Sequence, residues 1–169
     1  DGNNVFEVDK DKQPKGIFAN SIAGLLKTTP DFLSFYAPSA NSYRRLVHNA
    51  DHAPTTLSWG NENRTSLIRL PEASSSATRL EFRLPSADAN PYLVFASILS
   101  SVLSGIQNKD ALDKETIGNA HAQHEPELGI TWREAVKKTS QSSVVKEFFG
   151  EQFQKSYQVV KESEMNRFD

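Results

Sequence analysis

Between Thr28 and Asn108 every lysine or arginine is an arginine: Arg44, Arg45, Arg64, Arg69, Arg79 and Arg83. Arginine carries a permanent charge on a planar fork that grips a carboxylate or a phosphate through paired hydrogen bonds, whereas lysine is a hydrated point charge suited to solvent. The stretch therefore reads as a surface for recognising anions. A competing account is internal pairing, because the same interval holds Asp31, Asp51, Glu62, Glu72, Glu81 and Asp88. The run Arg79-Leu80-Glu81-Phe82-Arg83-Leu84 alternates strictly, and a two-residue period puts its three charges on one face and its apolar side chains on the other. Strand signals also cover Thr55 to Trp59 and Thr65 to Leu70, the latter grouping Thr65, Leu67 and Arg69. Pairing of the last two strands would gather Arg69, Arg79, Glu81 and Arg83 on one sheet face, with a plain solvated face as the alternative. The polar link from Glu72 to Thr78, with Ser74-Ser75-Ser76, suits a hairpin tip.

Other chemistry-bearing residues are sparser. His121-x-x-His124 followed by Glu125 has residue types that can ligate a metal, but Pro126 argues against a helix there. His48 and His52 flank Asp51 in a segment without a nucleophile elbow. No glycine falls in a phosphate-loop pattern, and the absence of cysteine removes disulfides, thiolate metal sites and a cysteine nucleophile.

The elements that must position these residues follow from periodicity. Val5, Phe6 and Val8 mark a short strand, followed by a charged loop from Asp9 to Lys15. Ile17, Phe18, Ile22, Leu25 and Leu26 recur at helical spacing from Gly16 to Lys27, and Thr29-Pro30 predicts a stop with a new helix through Phe35. Ala37 to Pro54 shows no sustained period and reads as a long loop. Asn90 and Pro91 supply the cap and first turn of a helix whose stripe of Phe95, Ile98, Leu99, Val102 and Ile106 is expected to face the core. Its uncharged Ser97, Ser100, Ser101 and Ser104 suggest burial against another element or subunit. Lys109 to Gly129 reads as an irregular surface connection. Helices follow over Thr131 to Lys138, with Thr131 and Glu134 as a capping box, then over Ser143 to Phe149 and Glu151 to Phe168.

With 169 residues and 37% hydrophobic side chains the chain has enough apolar content for one core. A net charge of −2 does not support wholesale attraction to nucleic acid or anionic lipid, and no run has the apolar length of a membrane helix. A cytoplasmic protein with neither nucleic acid nor membrane as partner is the expectation.

Several linked motifs carry a resemblance. Asn41-Ser42-Tyr43-Arg44-Arg45-Leu46-Val47, Ala53-Pro54, Trp59-Gly60, Asn63-Arg64-Thr65 and Ile68-Arg69-Leu70-Pro71 come in order, followed by Arg79 to Pro85 and Asp88-Ala89-Asn90-Pro91-Tyr92-Leu93. In order and spacing they resemble the catalytic domain of the glutamine synthetase family, densely from Gly16 to Ile106 and more loosely to Phe168. The resemblance implies an α+β fold, a partial antiparallel sheet of that domain with packed helices, and an ATP-dependent ligase that joins glutamate to ammonia through γ-glutamyl phosphate. It implies that Arg45 and Arg83 hold glutamate, that Arg64, Arg69 and Arg79 surround the ATP phosphates and the phosphoryl group in transfer, and that Glu81 ligates Mg²⁺ or Mn²⁺. Asp51 stands where the family usually has Glu; its implied role is to attract ammonium, take its proton and shield the intermediate. Asp51 and Arg64 are thus the catalytic candidates.

The family's other metal ligands and its smaller N-terminal domain have no counterpart between Asp1 and Asp169. The expectation is that residues 1–169 form the C-terminal portion of the catalytic domain of a larger protein, inactive alone, whose full-length form assembles a homo-oligomeric ring. Two alternatives stand beside it. Asp51 followed by His52 leaves room for an amine other than ammonia, and a non-catalytic structural or binding protein derived from a synthetase would keep the fold without the chemistry.

Overall fold

The apolar stripe that begins at Gly16 extends into the longest element of the computed structural model, which describes residues 3–47, 53–128 and 130–167. This helix, α1 (Gly16–Tyr36), buries Phe18, Ile22, Leu25, Phe32, Leu33, Phe35 and Tyr36. It does not stop at Thr29-Pro30. Proline in a helix interior costs about 3 kcal/mol, but both halves of α1 belong to one core cluster, and burying a single large apolar side chain returns about 1.5–3 kcal/mol. Packing thus outweighs the local break signal. The Thr28 and Thr29 hydroxyls donate to the carbonyls of Gly24 and Leu25 at 2.8 and 2.6 Å.

The helix α3 (Pro91–Asn108) begins as its sequence predicts, with the Asn90 side chain accepting from the Tyr92 N–H and Pro91 in the first turn. Its orientation differs from the expected one. Ser97, Ser101 and Gly105 are the buried residues, while Phe95 and Leu99 are 66% and 68% exposed, beside exposed Tyr92 and Leu103. The cause is a very close crossing with α1: a Cβ built on Gly24 would lie 2.7 Å from the Gly105 Cα, and the reverse substitution meets the Gly24 Cα at the same distance. Only small side chains fit this seam, and across it Thr28 Oγ1 donates to Ser101 Oγ at 2.6 Å. Ile98 and Val102 flank the seam as partly buried core residues.

The C-terminal helices are α4 (Trp132–Gln141), α5 (Ser143–Phe149) and α6 (Glu151–Met165). The Thr131–Glu134 capping box forms, and the Ser142 side chain accepts from the Val145 N–H to start α5. An aromatic group holds these helices to α1, with Phe35 centred 5.2 Å from Phe149 and 4.7 Å from Tyr157. In the segment expected as loop, α2 (Ala40–Arg45) forms a short helix, and the Ser39 N–H donates to Ser42 Oγ at 3.3 Å. No helix among the described residues is long and apolar enough to cross a membrane.

Two small sheets complete an α+β architecture. A hairpin joins β1 (Glu7–Val8) and β2 (Pro14–Lys15) in antiparallel register. The second sheet has the order β3 (Trp59–Asn61), β4 (Ile68–Leu70), β5 (Glu81–Phe82). Here β4 and β5 pair antiparallel, as expected, whereas β3 and β4 run parallel. Parallel neighbours ordinarily need a long crossover, but strands of three residues rise only about 10 Å, a distance the short segment from Glu62 to Leu67 can retrace. The connection after α3 covers the edge of β3: the Thr116 N–H donates to the Trp59 carbonyl at 2.9 Å, and Glu115 Oε1 accepts from the Asn61 N–H at 2.8 Å.

The α1–α3 seam makes a direct prediction. Gly105→Ala will destabilise the protein by about 2 kcal/mol through overpacking, seen as a lower urea midpoint at unchanged slope. An unaltered midpoint would mean that the helices can separate freely.

Candidate functional site

The register of β4 and β5 sets Arg69 directly opposite Glu81. Their side chains meet: Arg69 Nη1 donates to Glu81 Oε2 at 2.8 Å, and the other carboxylate oxygen, Oε1, lies 3.6 Å from Arg83 Nε. The Arg69 and Arg83 side chains are only 16% and 11% exposed, whereas Glu81 is 45% exposed. The arginines thus line the wall while the carboxylate faces outward. The sequence expectation placed Glu81 between Arg79 and Arg83 along one strand; its partners are Arg83, two residues on as expected, and Arg69 across the sheet in place of Arg79.

Backbone carbonyls hold the Arg83 guanidinium. Its Nη1 donates to the Arg64 carbonyl and, at 2.9 Å, to that of Ser66. Arg45, at the end of α2, donates from Nη2 to the Leu84 carbonyl and at 3.4 Å to Ser86 Oγ. Burial pushes the Arg83 pKa below the ordinary arginine value; the charges of Arg69, Arg64 and Arg45 act in the same direction, with Glu81 opposing them. Burial likewise lowers Arg45, against the attraction of Asp88. Both arginines stay charged at neutral pH. The fold therefore brings Arg45, Arg64 and Arg69 within electrostatic reach of Arg83, a concentration of fixed cations that can receive an anion with several negatively charged oxygens.

Arg79 stands apart. It precedes the paired part of β5, is exposed, and donates to the Ala77 carbonyl at 3.4 Å. With Lys12, Phe18, Leu70 and Thr78 it lines a cleft of about 70 Å³ between the β1–β2 hairpin and the link from β4 to β5. The period-2 grouping of Leu67 with Arg69 also fails, since Leu67 is fully buried just before β4 begins. Asp51, His48 and His52 lie outside the described residues. His121 is buried, with Nδ1 at 3.3 Å from Thr55 Oγ1, and His124 Nε2 is 2.8 Å from Thr116 Oγ1, so both hold the segment after α3 in place.

Glu62 is the member of this surface that sequence reasoning did not single out. Its Oε2 accepts from Arg69 Nη2 at 2.6 Å, which together with a backbone hydrogen bond holds its carboxyl below the usual range. Only the abundance of acids near the arginines signalled such a pairing. Two other acids of the interval are engaged elsewhere. Glu72 pairs with Lys12 at 2.7 Å, and Asp88 Oδ2 accepts from Ser39 Oγ at 2.6 Å at the start of α2.

Glu81 has the hard, exposed oxygen donors that a divalent cation of the Mg²⁺ class takes. Among the described residues no group of three or more His, Asp or Glu side chains stands close enough to hold a metal unaided. The donor set fits a contribution of one ligand and not a complete cage.

Asp88 ties α2, and with it Arg45, to the segment after β5. The Ser39 hydrogen bond, against some desolvation and with help from Ser42, holds its carboxyl below the ordinary aspartate value. A depressed carboxyl contributes stability that is complete above the unfolded-state value and is lost as pH falls through the folded one. Wild type will therefore lose more stability than Asp88→Asn between about pH 5 and about pH 3, measured by urea midpoints across that range. Parallel curves would place the acid-sensitive contact elsewhere.

A family model for the catalytic domain of glutamine synthetase matches residues 1–169. Gamma-glutamylputrescine synthetase PuuA of Escherichia coli K12 is 32% identical over 168 residues, covering 99% of this chain and 35% of that protein. Type-1 glutamine synthetase 2 of Dictyostelium discoideum is 38% identical over 158 residues, 90% of this chain and 30% of that protein. The glutamine synthetase of Methanosarcina mazei is 36% identical over 177 aligned positions, 99% of this chain and 39% of that protein. The chain spans about a third of the length of the curated relatives it matches.

Proposed function

The chain belongs to the glutamine synthetase family, and from that premise we propose that it supplies the anion-binding strands of an ATP-dependent ligase that joins glutamate to an amine. One observation carries the reading: the charges of Arg45, Arg64 and Arg69 converge on Arg83, and the outward-facing carboxylate of Glu81 lies between Arg69 and Arg83. On this reading residues 1–169 are the C-terminal portion of the catalytic domain of a larger polypeptide, which acts as a homo-oligomeric ring.

The proposed reaction has two steps. A γ-carboxylate oxygen of glutamate attacks the terminal phosphorus of ATP, giving γ-glutamyl phosphate and ADP. The amine nitrogen then attacks the acyl carbon, the carbon–oxygen bond to phosphate breaks, and the nitrogen loses a proton. Negative charge in the first step is spread over phosphoryl oxygens, where fixed guanidinium groups stabilise it without reorganising. Arg64 and Arg69 take that role, with Arg79 reaching the nucleotide phosphates from the hairpin. Arg45 and Arg83, anchored by carbonyls, hold the glutamate carboxylates. Glu81 provides one oxygen ligand to Mg²⁺ or Mn²⁺, which when bound neutralises phosphate charge. Asp51 attracts the cationic amine and accepts its proton.

The acceptor is ammonia or another primary amine, and relatives of both kinds, a glutamine synthetase and a gamma-glutamylputrescine synthetase, support testing both. In the full-length polypeptide, γ-glutamyl hydroxamate or amide should form only with ATP and Mg²⁺. Absence of product with ammonia, hydroxylamine, diamines and aminoalcohols would overturn the ligase reading in favour of a synthetase-derived binding protein. Arg83→Ala removes charge-assisted hydrogen bonds worth about 1.5–3 kcal/mol. It should lower kcat/KM for glutamate by about 10- to 100-fold, and an unchanged value would remove Arg83 from the glutamate site. Asp51→Ala should depress amide formation more than glutamate-dependent ADP release, and equal losses would deny it the amine role.

A further inference from the structure

Glu62 uses its two carboxylate oxygens on two different parts of the chain. Oε2 accepts from Arg69 Nη2 at 2.6 Å, and Oε1 accepts from the backbone N–H of Glu72, the first residue of the link that leads through Thr78 to Arg79. The Glu62 N–H donates in turn to the Leu70 carbonyl at 3.0 Å, and the residue holds a left-handed backbone at φ 51°. Three hydrogen bonds thus fix where its carboxylate stands.

The consequence falls on Arg69. Its two terminal nitrogens are gripped from opposite carboxylates, Nη2 by Glu62 and Nη1 by Glu81, while its buried Nε makes no hydrogen bond. Nothing else described turns the guanidinium plane. With Glu62 removed, Arg69 would be free to close onto Glu81 with both nitrogens, the ordinary fork geometry of an arginine–carboxylate pair. That movement would draw Glu81 away from Arg83 and turn Arg69 toward the sheet.

We propose that Glu62 is a positioning residue for nucleotide use: it holds the Arg69 guanidinium open toward the phosphates and ties it to the link that carries Arg79. The inference rests on the ligase reading, and specifically on Arg69 as a phosphate-binding group. Glu62 itself touches no substrate. It acts by keeping Arg69 and Glu81 from collapsing into a closed pair.

The test uses the full-length polypeptide with steady-state kinetics in ATP and in glutamate separately. Glu62→Ala should raise KM for ATP about tenfold and leave KM for glutamate within about twofold, because the carbonyl anchors of Arg45 and Arg83 are untouched. Glu62→Gln, which keeps one acceptor oxygen, should fall between wild type and Glu62→Ala. The double variant Glu62→Ala/Arg69→Ala should be no worse toward ATP than Arg69→Ala alone, since Glu62 acts only through Arg69. Multiplying effects, or equal increases in both KM values, would overturn the proposal, as would wild-type ATP kinetics in Glu62→Ala. If the unmodified protein forms no product with any amine, the ligase reading falls and this inference with it. An active protein indifferent to Glu62→Ala defeats the inference alone.

Discussion

Arg45, Arg64 and Arg69 all repel Arg83, and the burial of Arg83 aggravates the repulsion because a low dielectric screens it less. The Arg83 pKa is lowered by desolvation and by Arg69, Arg64 and Arg45 together. The rest of the surface is arranged around that constraint. Backbone carbonyls of Arg64, Ser66 and Leu84 face Arg83 and Arg45, while Glu81 and Glu62 face Arg69. Carbonyl dipoles offset a cation without cancelling its charge, so a surplus of positive potential remains for an incoming anion. Pairing Arg45 and Arg83 as closely with carboxylates as Arg69 is paired would have removed that potential.

Such an arrangement persists only on rigid supports, since side chains this crowded relax apart if their backbones move. Two of the four arginines flank short strands, and three-residue strands are weak on their own. Their stiffness comes from beneath. Leu67, Ile68, Leu70 and Leu84 are buried in the same cluster as Phe18, Phe32 and Tyr36 of α1. The helix α1 is also clamped by α3 through the glycine seam, by α5 and α6 through aromatic contacts, and by α4 through the Ser34–Thr139 hydrogen bond. Continuity of α1 past Pro30 belongs to the same logic, because a break there would split the core on which the sheet rests.

What could be read in the sequence were features whose signal is local. Asn90-Pro91 and Thr131 with Glu134 are caps written in adjacent residues, and both form. The alternation from Arg79 to Leu84 and the hairpin link correctly paired β4 with β5, which is enough to bring Arg69 to Glu81. The features that escaped depend on partners distant in the chain. A helix does not reveal in its own sequence that a glycine 81 residues away will meet Gly24, so the exposure of Phe95 and Leu99 escaped, although Ser97 and Ser101 are buried against another element as their face suggested. Pro30 is a break signal unless the strength of its surroundings is known. Glu62 looked like one of several surface acids because the fold determines which of them reaches Arg69. The residue types of the arginine surface were therefore legible, and its internal wiring was not.

That wiring changes what the alternating strand means. Along the chain, Arg79, Glu81 and Arg83 resemble a self-neutralising row, two cations about one anion. In the fold, Glu81 divides its oxygens between Arg69 on the neighbouring strand and Arg83 two residues on, and Arg79 is left on the hairpin at a separate cleft. One carboxylate between two cations is a different electrostatic object from a carboxylate paired once: whatever draws Glu81 outward weakens its hold on both arginines at the same moment. Glu62 limits how far Arg69 can follow, since its carboxylate is held by the Glu72 N–H and its own N–H by the Leu70 carbonyl. The sheet face is therefore arranged to keep Arg69 and Arg83 apart, with one carboxylate between them and a second on the far side of Arg69.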